Sequence, residues 1–472
     1  MNENVDREME SDMSSGASLE NARHPSRRTI GLLGAETSMD EIRIARAALT
    51  RLLEPGSVLG ATAVRVWGAS RAVQILTGRD TPGADERQDL RLVLASEGVT
   101  LTERTWSTSL AGWAARASSL APERDLASLE RLGGGLLIPE DPEWPSGVDD
   151  LGPAAPVALW FRGAGPVPRG SSTLAVVGSR DATGYGQSVT RTLAGGLAAR
   201  GLTVMSGGAY GIDAMAHRAA LASGTGAPQT VAVMAGGLDR YYPAGNEDLL
   251  REVVAQGLLL SELPPGASPT RHRFLQRNRI IAALSSAVLV VEARWRSGAQ
   301  NTAGHALGLG REVGVVPGPV TSPQSAGCHR LLRESPAVVV SDVEEALALM
   351  PSGGGDAERA AGGRGSALHG ASAGGAGDAG GARGPGNSGN SDGSGVSGGP
   401  PSTARPHDHL TVEELLVYEA LPLRNAAPVD RLCAVAGLGP GTVMGTLKKL
   451  QRQSLAEQRE SGWRRGAAAG TC

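Results

Sequence analysis

Two glycine-rich turns carry the strongest chemical signal in the sequence. Gly178-Ser179-Arg180 follows the apolar run 173–177, and Ser206-Gly207-Gly208-Ala209-Tyr210-Gly211 follows the run 202–205. Each turn joins a short strand to an alanine-rich helix, which aims backbone N–H groups and the positive end of the helix dipole at one spot. Such a spot selects an anion, most often a phosphate, and Arg180 adds a planar fork matched to phosphate oxygens. A third element, residues 271–279, holds Arg271, Arg273, Arg277 and Arg279 with His272 and no acid. Arg277, Asn278 and Arg279 are placed where the glycine turns point, and a row of this kind suits successive phosphates of a nucleic-acid backbone. Tyr242 and Phe274, with Tyr241 beside them, are the aromatic candidates for stacking on bases. Aromatic residues make up only 3% of the chain, which argues against an extended stacking platform.

Asp213 and His217 stand four apart on one helix face, with Glu262 and Glu292 at the ends of two other strands. They admit two readings. One is an acid/base set or metal site; the other, which is preferred, is that Asp213 caps turn or helix amides, His217 packs against the sheet and Glu292 supports the turns. No H-E-x-x-H or C-x-x-C pair occurs, and G-x-S-x-G appears only within the glycine-rich stretch 370–399 with no apolar strand before it, so neither a metal nor a catalytic residue is assigned. The only lysines are Lys448 and Lys449, which removes a P-loop or Schiff-base lysine from everything upstream. Gly178, Gly184 and Gly186 have the wrong spacing for a dinucleotide fingerprint, so no cofactor is expected.

These residues lie on a regular alternation. Short apolar runs at 173–177, 202–205, 230–235, 258–261, 287–291, 312–316 and 337–340 alternate with helical stretches, which predicts a mostly parallel α/β sheet covered on both faces. In such a sheet ligands bind beyond the carboxyl ends of the strands, where every motif above falls. Upstream, residues 39–134 predict a small helical domain of the sterile-alpha or helix-hairpin-helix kind, in which Gly56 and Gly60 break the first run. Residues 136–170 are proline-punctuated and predict an extended connector. Residues 1–38 and 466–472 are assigned as tails. Residues 351–409, with 19 glycines among positions 351–400, are assigned as a flexible linker. Helix, helix, helix and hairpin over 410–465 predict a winged helix with Lys448, Lys449 and Arg452 on its third helix. The net charge of −3 requires any nucleic-acid affinity to be local, and the three scattered cysteines together with the lack of a membrane-length apolar run predict a cytoplasmic protein.

In order, Val177-Gly-Ser-Arg180, Ser206-Gly-Gly-Ala-Tyr-Gly-Ile-Asp213 with His217, Gly236-Gly-Leu-Asp-Arg-Tyr-Tyr-Pro243, Ser261-Glu-Leu-Pro-Pro265, Arg277-Asn-Arg-Ile-Ile281, Ser297-Gly298 and Val316-Pro-Gly318 form a signature. It resembles that of the DNA processing protein A family, also called DprA or Smf, over about residues 135–345. The resemblance implies an extended Rossmann-like domain at 135–350 that binds single-stranded DNA, forms a homodimer, and helps load the RecA recombinase during natural transformation. It places the phosphate pocket at Gly178, Ser179 and Arg180, the turn from Ser206 to Gly211, and Arg277 and Arg279. The chain departs from the common pattern at Leu275-Gln276, where a proline often precedes the arginine, at Ala299-Gln300-Asn301, and in its long glycine linker. A phosphoribohydrolase would instead need a P-G-G-x-G-T-x-x-E string, which the chain lacks. A duplex-binding regulator would act through residues 410–465.

Overall fold

The computed structural model describes residues 38–168, 170–224, 230–351, 410–422, 426–436 and 438–466. The expected tails and the glycine linker fall outside the described residues, apart from Ser38, Pro351 and Gly466. Among the described residues no helix is long and apolar enough to cross a membrane.

Six helices open the described chain: α1 Met39–Leu52, α2 Val58–Trp67, α3 Ala69–Leu76, α4 Ala84–Ser96, α5 Glu103–Ala117 and α6 Pro122–Glu130. Gly60 does not break the run as the sequence suggested. It is the third residue of α2, whose N-cap Ser57 accepts its N–H, and its missing side chain makes room for Leu53. The helices meet the sheet through Thr50, whose hydroxyl accepts from the buried Trp160 indole at 3.1 Å.

A nine-stranded sheet follows, built from β1 Gly134–Leu137, β2 Leu159–Arg162, β3 Thr173–Val177, β4 Thr203–Ser206, β5 Thr230–Val233, β6 Leu258–Ser261, β7 Ala287–Val290, β8 Glu312–Val315 and β9 Val338–Val339. Its order is β1-β2-β6-β5-β4-β3-β7-β8-β9. The strands from β3 onward pair in parallel, while β1 and β2 add an antiparallel edge beyond β6. That edge falls in the stretch expected to be a connector. Four residues of Leu-Trp-Phe-Arg carry no period long enough to distinguish a strand from an extended linker, and only pairing with β6 settles it.

The crossovers are α7 Gly184–Ala199, α8 Ile212–Leu221, α9 Glu247–Gln256, α10 Arg271–Ala283, α11 Gly298–Gly308 and α12 Ala326–Glu334, and α13 Val343–Ala348 follows β9. Alternation along β3 divides the core. Leu174 and Val176 pack with Leu193 and Leu197 of α7, and Ala175 and Val177 pack with Ile280 and Ile281 of α10. The chain builds outward from β3 to β6 on one side and from β7 to β9 on the other. The crevice between the carboxyl ends of β3 and β7 is therefore the topological switch point, the place where such sheets bind ligands.

Three further helices, α14 Val412–Ala420, α15 Val429–Ala436 and α16 Pro440–Arg452, precede a hairpin of β10 Ala456–Arg459 and β11 Gly462–Arg465. Leu432, Leu447, Leu450 and Trp463 form their core, against which Leu275 of α10 also packs.

Candidate nucleic-acid interface

At the switch point lies a cleft of about 620 Å³. Its walls are the turn after β3 (Gly178, Ser179, Arg180, Asp181), the first turns of α10 (Arg271, Phe274, Leu275, Arg277, Asn278) and the segment after β7 (Arg294, Arg296, Ser297, Gly298, Ala299). Five arginines face two carboxylates there, Asp181 and Asp213, so the cleft is an anion trap inside a slightly acidic protein. A second recess of about 420 Å³ adjoins it, sharing Arg180, Ala209, Tyr242, Pro269 and Phe274, with Tyr210, Tyr241 and Arg240 beyond them.

Phe274 is the hinge between the two hollows. The Arg180 guanidinium lies 4.5 Å from its ring centroid, that of Arg277 5.9 Å, and the Tyr242 ring 5.8 Å at 47°. Arg180 and Tyr242 are exposed and Phe274 is half-buried. The cluster offers cation and aromatic faces at one place, which suits a base stacked beside a phosphate.

Arg277 sits deeper, 7% exposed. Its Nη1 donates to the Gly207 carbonyl at 2.6 Å and also to that of Val233, and its Nε donates to Asn278 Oδ1 at 3.3 Å. Gly207 allows this approach, since a Cβ there would stand 2.4 Å from the guanidinium. Burial pushes the Arg277 pKa down to about 10, with Asp213 opposing the shift and Arg180 adding to it. It therefore remains charged at neutral pH, held in place behind the exposed Arg180.

The second turn is used differently from the sequence expectation. Gly207 and Ala209 donate their N–H groups to Asp213 Oδ2 at 3.2 and 3.4 Å, and Gly208 donates to His217 Nε2 at 3.3 Å. The imidazole tautomer follows from its other side. Thr230 Oγ1 donates to the Val204 carbonyl at 2.9 Å, so it accepts from His217 Nδ1 at 2.6 Å, which leaves Nε2 as the acceptor for Gly208. Burial pushes the His217 pKa down to about 3 and raises that of Asp213. Ser206 is fully buried, its hydroxyl donating to the Val176 carbonyl at 2.6 Å. Ser206, Gly208 and Gly211 line neither hollow. Gly211 instead seats this turn against the first: its φ is +76° and a Cβ would meet the Ser179 carbonyl at 2.2 Å.

Glu292 fills the corresponding place at the start of α7. It accepts from the N–H of Thr183 at 2.9 Å and from its hydroxyl. Each of the two strand-to-helix turns expected to attract a phosphate thus already holds an internal carboxylate, Glu292 on the N-cap residue of α7 and Asp213 on the turn amides ahead of α8. Ser179 Oγ closes a local turn on Asp181.

Arg279 is a further correction. It is 1% exposed, lines neither hollow, and donates from Nη2 to both Glu262 oxygens at 2.7 Å. Residues two apart on a helix do not share a face, so α10 cannot present Arg277 and Arg279 together. Asn278 does reach the cleft, where its Nδ2 donates to the Gly298 carbonyl at 3.1 Å. Sequence reasoning passed over Arg294 and Arg296. The Ser297-Gly298 step that ends their loop was the available signal.

A sequence profile of the family described as DNA recombination-mediator protein A matches residues 135–351. A DNA processing protein DprA of Mycobacterium tuberculosis is 42% identical over 356 residues, covering 72% of this chain and 79% of that protein. Among solved structures, DNA processing protein A from Streptococcus pneumoniae is 27% identical, covering 65% of this chain and 98% of that one with a TM-score of 0.49. That from Helicobacter pylori, described for its single-stranded DNA binding mode, is 30% identical, covering 45% of this chain and 94% of that one with a TM-score of 0.41. By the extent of the shared sequence, the chain belongs to the DNA processing protein A (DprA/Smf) family.

Proposed function

We propose that this protein holds a single DNA strand in the switch-point cleft and serves as a non-catalytic recombination mediator in the cytoplasm, protecting incoming strands and passing them, as a homodimer, to the RecA recombinase. The observation that carries the reading is the joining of arginines to the Arg180–Phe274–Tyr242 cluster. Base stacking on Phe274 needs an unpaired base, which favours a single strand over a duplex. The cleft's buried carboxylate, Asp213, is occupied with turn amides, which favours holding a strand over cutting it. In this reading Gly178, Ser179 and Arg180 hold one phosphate, Arg277 backs it electrostatically with its guanidinium oriented by Asn278, and Arg271 holds a neighbour. Residues 410–465 are read as a winged helix and residues 39–134 as a sterile-alpha-like domain, from their element order.

A salt titration of oligonucleotide binding tests this. Arg180→Ala and Arg271→Ala are each expected to weaken binding about tenfold for every base sequence, and to lower the log–log salt slope by about 0.7 for each phosphate that is no longer neutralised. Unchanged affinity and slope in both variants would remove the cleft as the strand's path.

A further inference from the structure

The C-terminal helices meet the α/β body at the wall of the cleft. Leu275 lines the cleft and also packs into the core of α14–α16. Behind it runs an unbroken polar chain. Arg277 Nε donates to Asn278 Oδ1 at 3.3 Å, Asn278 Nδ2 donates to Asn301 Oδ1 at 3.1 Å, and Asn301 Nδ2 donates to the Val435 carbonyl at 3.1 Å. Arg277, Asn278, Asn301 and Val435 are 7%, 6%, 2% and 1% exposed, so the chain is buried apart from its Arg277–Asn278 end, which borders the cleft.

Its direction is set from one end. A guanidinium can only donate, so Asn278 must accept with its oxygen and donate onward with its amide. Asn301 must then accept from Asn278 and donate to Val435. Val435 lies in the last turn of α15, where helix carbonyls have no partner within the helix. Asn301 supplies one. A second tie is made by Arg330, buried on α12, whose Nη2 donates to the Leu410 carbonyl. Among the described residues, none from 410–466 lines either hollow.

Resting on the strand-holding reading above, we propose that residues 410–466 are a positioning element for the DNA cleft. Docking of α15 on Asn301 holds Asn278 in place, and Asn278 in turn holds the Arg277 guanidinium. Strand affinity then depends on a unit that does not itself touch the strand. Such a unit acts through contiguous hydrogen bonds between two sites, and uncoupling it is expected to change affinity by about fivefold.

The test uses the full chain with a protease site placed within residues 352–409. After cutting, the piece from 410 onward is expected to co-elute with the body on gel filtration, and Asn301→Leu is expected to release it. In uncut protein, Asn301→Leu is expected to weaken binding of an oligothymidine about fivefold with an unchanged salt slope, because every phosphate keeps its arginine partner. A triple Lys448→Ala, Lys449→Ala, Arg452→Ala variant is expected to bind as wild type. Should Asn301→Leu fail to fold, the cut wild-type chain answers alone: removing the released piece by dilution is expected to lower affinity about fivefold. Unchanged affinity on uncoupling, separate elution of the cut wild-type pieces, or an equal loss in the triple variant would overturn the proposal. If wild type binds no oligothymidine at all, the strand-holding reading itself fails, whatever the elution shows.

Discussion

Arg279→Ala is expected to destabilise the protein by about 3 kcal/mol, while each molecule that remains folded keeps its DNA affinity. The side chain is 1% exposed and forks onto both oxygens of Glu262, whose own side chain is 14% exposed. Truncating it leaves a largely buried carboxylate without its counter-charge, a change that usually costs about 3–5 kcal/mol. The lower end of that range applies, because Arg279 Nε and Nη1 are buried with no partner in the native protein and their removal relieves a cost already present. Denaturant unfolding of wild type and variant, followed by oligonucleotide titration of each, separates stability from binding. A variant of unchanged stability that lost DNA binding would put Arg279 back on the strand's path.

The contrast with Arg180 shows what the sequence could and could not reveal. The alternation of apolar runs and helices was legible because a parallel sheet buried on both faces needs continuous β-branched and leucine-rich strands, as in β3, β5 and β7. Each of the strands from β3 to β9 lies where its run lies. The antiparallel edge of β1 and β2 was not legible, because a four-residue strand is specified by its partner rather than by its own period.

The site divides along the same line. Gly178-Ser179-Arg180 follows β3 directly, so strand position alone puts it at the switch point. What occupies a helix N-terminus is a tertiary fact. Glu292 is 109 residues from Thr183, and nothing local to either indicates that they meet. The error at Arg279 had a local signal. Thr270 caps α10 by accepting from Arg273, which makes residues 271–283 one helix and sets Arg271, Phe274 and Asn278 on a common face at i, i+3 and i+7. Counting along that face selects the cleft residues and leaves Arg279 on another.

Lowering the pH from 8 to 5 is expected to cost the folded state a few kcal/mol, through histidines rather than surface carboxylates. His217 and His305 are buried, at 0% and 4% exposure, and burial pushes the pKa of each down to about 3. In the unfolded chain each returns to about 6.5. A depressed folded pKa means that the unfolded state takes up a proton the folded state refuses. The stabilities of the two states are therefore compared without penalty above pH 6.5, and the folded state loses ground as pH falls from there towards 3. At pH 5, 1.5 pH units below the unfolded value, each histidine contributes a loss of about 2 kcal/mol. Asp213, whose pKa burial raises, works in the opposite direction and trims that loss. His217 anchors the second glycine turn and His305 is buried on α11 one turn from Asn301, so acid weakens the cleft's scaffold and the helix that seats α15 together. Urea midpoints at pH 8, 6.5 and 5 measure the loss. His272, whose pKa burial also pushes down to about 4, loses ground over the same range, so His305→Gln, which cannot titrate, is expected to remove about a third of the pH dependence, whatever it does to stability at pH 8. A wild-type profile flat from pH 8 to 5 would mean that neither imidazole is held neutral by its burial.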